Sequence, residues 1–202
     1  MIAKARVIPA IGTWRAEQRA FTLTEIAIVL GIIGLILGAI WVAASSVYTN
    51  MRVNTMSRNL IALSQGLRNM YTNQGLMETG ANAITVTQLI STGVVPNDLV
   101  NNGSNGLVDS WGGTLTFTPA TTISTAGDSF VLDLANVPQS GCVGLLTDTS
   151  TKATGSGIYG LAAGAAAFTT IAGVGTTTDY PPATAAADCA ATNHVGYAFS
   201  IH

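Results

Sequence analysis

The stretch "RAFTLTEIAIVLGIIGLILGAIWVAA", residues 19–44, decides how this chain folds and where it resides. Residues 26–44 are all uncharged, and about 20 apolar residues suffice for one helix to cross a bilayer. One side chain conflicts with that simple interpretation. Glu25 begins the apolar run, where an unpaired carboxylate in hydrocarbon is unfavourable. The position of this acid therefore needs an explanation of its own.

Charge is unevenly distributed along the 202 residues. Only 9% of them are charged while 48% are hydrophobic, which is not the composition of a disordered chain. Four of the eight basic residues precede residue 21, and the rest of the chain has four basic against nine acidic residues, a formal charge of −5. This balance excludes an extended basic surface for nucleic acid. The basic N-terminus instead predicts an orientation signal that stays cytoplasmic.

The residues leave three interpretations of the N-terminal segment open. A secretory signal peptide has an apolar core of about 7–15 residues, followed by a cleavage site made of small residues. The letters "WVAASS", residues 41–46, are a candidate for such a cleavage site. Cleavage near Ala44 would yield a Sec-exported soluble binding domain. A plain membrane anchor explains the length of the run but not Glu25. The third interpretation is a membrane helix that continues into a globular domain, and it depends on the residues that follow.

Helical periodicity continues beyond Ala44. No proline interrupts residues 21–74, and Gly75 is a candidate C-cap. We expect one helix of 54 residues, roughly 80 Å long, that is apolar all round in its first half and one-sided in its second. Apolar residues that recur at spacings of three and four define the buried face of that second half: Met56, Leu60, Leu63, Leu67 and Met70.

The remaining residues predict a small α+β head. Alternating apolar residues and turn signals separate short helices from strands. We expect the first of these strands to end at Pro119, and we expect loop and edge-strand surface over residues 149–178. Helices are predicted within residues 86–93, 139–148 and 181–191, and strands within residues 114–119, 129–138 and 194–201.

No pattern in the sequence indicates catalysis. The histidines, His194 and His202, have no metal-binding spacing, and no glycine-rich phosphate loop is present. We expect His194 to lie at the surface beside a strand, and the aspartates to occupy turns. The aromatic residues are most simply core and interface residues. The sequence therefore predicts a protein that is not an enzyme and that has no metal and no cofactor.

The two cysteines, Cys142 and Cys189, allow two interpretations. They are buried free thiols if the chain is cytosolic, and one disulfide if it is exported. A bridge between them would close a loop of 46 residues, and chain-entropy reasoning gives about 4 kcal/mol for that constraint. The choice therefore depends on whether the apolar N-terminal segment directs export.

The letters "RAFTLTEIAIVLGIIG" are similar to the start of a type IV prepilin. The similar features are a basic leader, a small residue, a phenylalanine and then a glutamate five residues into the mature chain. The resemblance implies a leader over residues 1–20 that the prepilin peptidase removes between Ala20 and Phe21. It also implies N-methylation of Phe21. The sequence departs from the family at Ala20, where prepilins usually have glycine.

Several further features resemble the type IVb branch, in particular the bundle-forming and thin-pilus major pilins. They are the long leader, the letters "LISTGVVP" and "WGG", the places of the two cysteines, and Val42 where the type IVa branch has a proline. This resemblance implies a transmembrane and assembly half of the helix over residues 21–45 and a head over residues 46–202. The implied fold is a long helix packed on an antiparallel sheet, with a Cys142–Cys189 disulfide.

The resemblance also implies a role for Glu25. In the family, this carboxylate pairs with the free amino terminus of a neighbouring subunit during fibre assembly. The alternative is that Glu25 only faces lipid headgroups and the N-terminus of its own helix, where an acid is also favourable. The glycines Gly31, Gly34 and Gly38 contain a G-x-x-x-G spacing that permits close contact between membrane helices.

The function implied is that of a major pilin precursor in the bacterial inner membrane, which polymerises into an extracellular type IVb pilus for adhesion, aggregation or conjugation. The partners implied are sister subunits, the prepilin peptidase, the cytoplasmic assembly motor and the inner-membrane platform. No nucleic-acid partner is predicted. The alternative within the family is a minor pilin or a pseudopilin of a type II secretion machine.

Overall fold

The computed structural model describes the chain from residue 22 to residue 201 with short gaps. The described residues are 22–78, 80–101, 103, 105–123, 125–152, 156–169 and 179–201. The predicted leader, including Ala20, lies outside them, as does Phe21. The chain divides between Ala43 and Ala44 into two units.

Helix α1 (Leu23–Tyr71) contains 49 residues and crosses the boundary between the two units. The long helix is therefore as predicted, although it ends at Tyr71 and not at Gln74. The backbone N–H of Gly75 donates to the carbonyl of Tyr71 at 2.9 Å, and Gly75 has a φ of +80°. Glycine adopts that left-handed conformation without strain, so Gly75 terminates the helix in the manner expected of a C-cap region.

The second unit buries one face of α1, as the apolar periodicity predicts. Four of the five residues predicted for that face are buried, but Met70 is only partly buried. Tyr71 is buried beside it, because the helix ends there and its last side chain still reaches the core. Two serines also lie on the buried face. The buried residues are Val53, Met56, Ser57, Leu60, Leu63, Ser64, Leu67 and Tyr71.

The head contains a six-stranded antiparallel sheet with the strand order β1-β2-β3-β4-β6-β5. Two neighbouring strands inside the sheet, the fourth and the sixth along the chain, pair Phe130 with Phe199 and Leu132 with Tyr197, and all four side chains are buried. The core lies between this sheet and the buried face of α1. The strands are β1 (Val100–Asn101), β2 (Gly106–Val108), β3 (Thr114–Thr122), β4 (Ala126–Pro138), β5 (Ile158–Gly164) and β6 (Thr192–Ser200).

Strand β3 differs from its prediction, because it does not end at Pro119. It continues to Thr122, and its pairing with β4 shifts register between Thr118 and Thr121. A proline has no N–H to donate to a ladder, and a bulge is one of the few places in a sheet that tolerates it. The irregular pairing around Pro119 therefore allows β3 to continue beyond this proline, at which the strand was expected to end.

Three short helices accompany the sheet, close to the predicted positions. The second of them was predicted to end at Asp148 but reaches Lys152. Within that extension, Thr149 donates its hydroxyl to the carbonyl of Leu145 at 2.5 Å, which satisfies a polar group that is otherwise unfavourable in a helix. The helices are α2 (Val86–Ser91), α3 (Gln139–Lys152) and α4 (Pro182–Asp188).

Candidate functional site

The N-terminal unit is an exposed apolar helix segment. Every described residue from 22 to 43 is exposed. By length and composition, α1 is long and apolar enough to cross a membrane. Thirteen large apolar side chains in this unit are exposed, among them Trp41 at 76% and Leu35 at 75%. An apolar surface of this extent requires lipid or partner helices around it.

Glu25 lies in the first turn of α1 and forms a capping box with Thr22. The backbone N–H of Glu25 donates to Thr22 Oγ1 at 3.2 Å. In return, the backbone N–H and the hydroxyl of Thr22 both donate to Glu25 Oε2 at 3.0 Å. This reciprocal arrangement satisfies donors that a helix start would otherwise leave unpaired. The T-x-x-E spacing in the sequence was a readable signal for it, and Thr22 was not among the predicted site residues.

The capping box uses one carboxylate oxygen only. Within the described residues, Glu25 Oε1 accepts no hydrogen bond. An acid at the first turn is favoured by the helix dipole, so the contact with its own helix explains part of why an acid is tolerated here. The second oxygen has room for a further donor.

The glycines of the apolar segment are not required by packing within one chain. A Cβ atom placed on Gly31, Gly34 or Gly38 would meet no heavy atom within 4 Å. Gly34 and Gly38 are one turn apart and share a helix face. Their bare backbone is therefore available to a neighbouring helix.

The disulfide joins Cys142 on α3 to Cys189, which directly follows α4. Both residues are buried, and their Cα atoms are 6.0 Å apart. The side-chain amide of Gln139 donates to the carbonyl of Cys189 at 3.0 Å. Asn193, at the start of β6, donates to the carbonyls of Val137 and Ala190. Covalent and hydrogen bonds together hold α3 and the turn before β6 against the sheet.

Two hydrogen bonds of Tyr180 hold the segment before α4 close to the disulfide. The Tyr180 hydroxyl donates to Asp188 Oδ2 at 2.7 Å, and the backbone N–H of Tyr180 donates to Ser150 Oγ at 3.1 Å. Burial, followed by the hydrogen bond and the charge of Asp188, raises the pKa of Tyr180 to about 12. The segment before α4 is thus tied to α3 through Ser150 and to the end of α4 through Asp188.

Comparison with known proteins decides the family. A family profile described as PilS N terminal matches residues 50–200, about three quarters of the chain. The chain is a type IV pilin of the PilS family. No curated protein sequence gives a significant match to it.

Two solved structures share the fold of this pilin. A type IV b pilin from Salmonella typhi is 22% identical, with a TM-score of 0.51 over 71% of this chain and 97% of that one. TcpA, a type IV pilin from the Vibrio cholerae El Tor biotype, is 16% identical, with a TM-score of 0.53 over 74% of this chain and 99% of that one. The predicted type IVb pilin fold, with its long helix, antiparallel sheet and one disulfide, is confirmed.

His194, expected at the surface beside a strand, lies within β6 and is only partly exposed. In this pilin its side chain is only 25% exposed, and Nδ1 lies 2.7 Å from Oδ2 of Asp133, which is 1% exposed. Asp133 also departs from the expectation that the aspartates occupy turns, because it lies in the middle of β4. An acid between two leucines of a buried strand was the available signal, since buried carboxylates require partners.

Asp109 is a further buried acid, and its carboxylate organises a loop. Its Oδ1 accepts the backbone N–H groups of Trp111 and Gly113 at 2.8 and 2.7 Å, which fixes the tight turn before β3. Burial raises the pKa of Asp109 despite those bonds and the opposing charge of Arg52. Within the part of the chain that the structure describes, no three His, Cys, Asp or Glu side chains are grouped to hold a metal ion.

Proposed function

We propose that this pilin is the precursor of the major subunit of a type IVb pilus. In the proposal it is inserted in the bacterial inner membrane through the apolar half of α1, cleaved between Ala20 and Phe21, and methylated on Phe21. It then polymerises into an extracellular fibre with the assembly motor and the inner-membrane platform. The observation that carries the proposal is the exposed apolar segment of α1, whose first turn contains Glu25.

Assembly in this proposal transfers the apolar segment from lipid to a bundle of sister helices. Helix contact there depends on close packing and not on exclusion of water, so residues without side chains are favoured at the contacts. The glycines Gly31, Gly34 and Gly38, which meet nothing within their own chain, are the candidate contact points. The heads then lie outside the helix bundle.

Glu25 sets the register in this mechanism. Cleavage exposes an α-amino group whose ordinary pKa of about 8 leaves it largely cationic at neutral pH. In an apolar bundle, that amine and a carboxylate each offset the desolvation of the other only when they meet. The Thr22 capping box occupies Glu25 Oε2, so Oε1 is the oxygen offered to the amino terminus of the neighbouring subunit.

Replacing Glu25 with glutamine separates the two roles of this residue. Glutamine completes a capping box as well as glutamate does but carries no charge. If the pairing mechanism holds, Glu25→Gln leaves the membrane level and leader cleavage of the subunit near normal while pili in sheared preparations fall at least tenfold. Thr22→Ser, which keeps the capping hydroxyl, is the matched control and should assemble normally. Normal piliation by Glu25→Gln would show that Glu25 serves only its own helix.

Sequencing the mature amino terminus tests the processing step. A chain that begins at methylated Phe21 supports the proposal. A chain that begins near Ser45 would instead indicate a secretory signal peptide, and an intact leader would refute cleavage. The abundance of the chain in sheared fibres then distinguishes a major pilin, which dominates such a preparation, from a minor pilin or a pseudopilin.

A further inference from the structure

A small apolar patch lies on the exposed side of α1, near the start of the second unit. Val47, Tyr48 and Met51 are 57%, 58% and 63% exposed, and Arg52 beside them is partly exposed. Spacings of three and four residues place these side chains on one helix face, while Val53 on another face is buried in the core. Three of the five exposed large apolar side chains described in the second unit are therefore concentrated here. We call Val47, Tyr48, Met51 and Arg52 the neck patch.

Arg52 is held on the surface of the neck patch by Tyr48. Its guanidinium carbon lies 4.3 Å from the centroid of the Tyr48 ring, and Nη2 donates to the phenolic oxygen. Arg52 has no other hydrogen-bond partner in the described part of the chain. Its charge also acts on Asp109, but that carboxylate is buried in the head and accepts the backbone N–H groups of its own turn. Most of the guanidinium N–H groups are therefore free to bind an anion from outside the chain.

The spacing of charges along the sequence fits this position of Arg52. Residues 26–51 contain no charged residue, so Arg52 is the first charge after Glu25. A helix of that length measures about 39 Å at a rise of about 1.5 Å per residue. A bilayer measures about 30 Å across its hydrocarbon and about 40–45 Å with both headgroup layers. The uncharged stretch therefore matches a bilayer with its headgroups and is too long for the hydrocarbon alone.

The guanidinium of Arg52 turns back towards the apolar run, because it stacks on Tyr48 one helical turn earlier. Tyr48 follows Ala44, the last residue of that run, by four residues, which is about 6 Å of helix. One headgroup layer is about 5–7 Å deep, half of the difference between the two bilayer thicknesses. When residues 26–44 occupy the hydrocarbon, the ring and the guanidinium therefore fall within the layer that contains the lipid phosphates.

The side chains of the neck patch are of the types that favour this layer. Tyrosine combines an apolar ring with a polar hydroxyl and is enriched at membrane interfaces. Arginine keeps its apolar stem against the hydrocarbon boundary and binds phosphate through two parallel N–H groups of its planar guanidinium. A sister helix is a poorer partner, because contacts between membrane helices favour small residues and this patch contains large ones.

We propose that the neck patch is an interfacial anchor that lies in the headgroup layer of the membrane, where Arg52 binds the phosphate of an anionic phospholipid. This inference rests on the proposed insertion of the subunit through the apolar half of α1. It extends the membrane-embedded part of α1 by about two turns beyond Ala44 and names the class of lipid that the subunit binds. Transfer of the subunit into a fibre then requires release of this lipid.

Methionine methyl NMR of the full-length protein in nanodiscs tests the position of the patch. The nanodiscs contain phosphatidylcholine, phosphatidylglycerol and a lipid with a nitroxide on its headgroup. The exposed Met51 should show a paramagnetic relaxation enhancement that is at least about fivefold larger than that of Met77, which is buried in the head beyond the end of α1. The signal that is lost in Met51→Leu assigns the Met51 resonance.

Native mass spectrometry of the full-length protein released from nanodiscs without the labelled lipid tests the bound lipid. Arg52→Gln should lower the population of phosphatidylglycerol adducts about fivefold, the change that corresponds to ~1 kcal/mol for one cation beside an anionic lipid surface. Arg58→Gln, at an exposed position of the same helix, is the matched control and should leave the adducts unchanged. In nanodiscs of phosphatidylcholine alone, the two variants should not differ.

Flotation of the chain with vesicles of the same two phospholipids separates this inference from the proposed function. A chain that does not float would overturn both, because both require a membrane-inserted subunit. A chain that floats, but in which the enhancement at Met51 equals that at Met77 or Arg52→Gln and Arg58→Gln retain equal adducts, would overturn the anchor alone. A Met51 signal that is unaffected by the labelled lipid but is shielded from a water-soluble paramagnetic agent in assembled fibres would also overturn it and would assign the patch to a sister subunit.

Discussion

Single residues in this pilin connect elements that are distant in the sequence. Arg68, near the end of α1, donates through Nε to the carbonyl of Ser200 at the end of β6, at 2.7 Å. Gly157 has a φ of +77°, and a Cβ there would overlap the Arg68 guanidinium, so glycine is needed for both conformation and space. Partial burial lowers the pKa of Arg68. The guanidinium thus ties the long helix to the end of β6 and packs closely over the backbone of Gly157.

Replacing Arg68 with methionine should lower the free energy of unfolding by about 2 kcal/mol. The variant keeps an apolar stem of similar length but loses a hydrogen bond from a charged donor to the Ser200 carbonyl. Arg58→Met, at an exposed position of the same helix, is the matched control and should change stability by less than about 0.5 kcal/mol. Urea denaturation in detergent compares the two, and equal effects would contradict the assignment.

The raised pKa of Tyr180 leads us to expect that the free energy of unfolding depends on pH above pH 10. Because its pKa is raised from 10 to about 12, the folded state holds the phenolic proton more tightly than the unfolded state. The contribution of Tyr180 is therefore complete below pH 10 and is lost as the pH rises towards 12. The stability difference between the unmodified protein and Tyr180→Phe, followed by urea denaturation, should shrink across that window. A difference that stays constant from pH 9 to pH 12 would show that Tyr180 does not titrate there.

Residue-level prediction from the sequence succeeded where a single local pattern carried the information. The two cysteines required only a count and an inference about export. The Asp133–His194 contact joins residues 61 apart on strands whose register no local pattern reveals. Ala20 and Phe21 lie outside the described residues, so cleavage and methylation stay predictions.

Elements were predictable where apolar residues recur with one period. Helix α1 and strand β4 have such patterns, and both formed close to the predicted bounds. The short strands β1 and β2 were missed, because two or three residues among asparagines and glycines present no periodicity. Strand β5 lies at the sheet edge, which agrees with the edge-strand surface expected within residues 149–178. Its first and last residues could not be predicted, because the segment is rich in alanine and glycine and has no apolar alternation.

Removing the disulfide should destabilise the head by about 2–5 kcal/mol. The bridge joins α3 to the turn before β6 across 47 residues of sequence separation, so its loss frees the unfolded chain more than the folded one. The double variant Cys142→Ala, Cys189→Ala is compared with the oxidised protein by urea denaturation. Unmodified protein treated with a reductant should match the double variant. Equal stability of the oxidised and bridge-free forms would contradict this account.

The whole molecule combines two units with opposite surface character. Thirteen exposed large apolar side chains of the described chain precede Ala44, and five follow it. The five are Val47, Tyr48, Met51, Leu76 and Tyr159. The second unit holds the sheet, the disulfide and the buried face of α1, which is the complete core of the head.

A chain that begins at Ala44 should fold without detergent. It retains the hydrophobic core and loses most of the exposed apolar surface, which is what an independently folding domain requires. Size-exclusion chromatography should show a monomer, and its near-ultraviolet circular dichroism should match that of the full chain in detergent. Aggregation of this fragment, or a spectrum without aromatic signals, would show that the head depends on the apolar segment.

The disulfide has a consequence for how the surface of this pilin can diverge. The 46 residues between Cys142 and Cys189 begin and end at fixed points, whatever their sequence. Loop-closure entropy grows only with the logarithm of length, so ten inserted residues would cost about 0.2 kcal/mol. Insertions and substitutions can therefore accumulate at the exposed positions of this enclosed segment, while its buried positions on α3, β5 and α4 stay constrained by the core. The N-terminal helix cannot vary in this way, because in the proposed fibre it must pack against every neighbouring subunit.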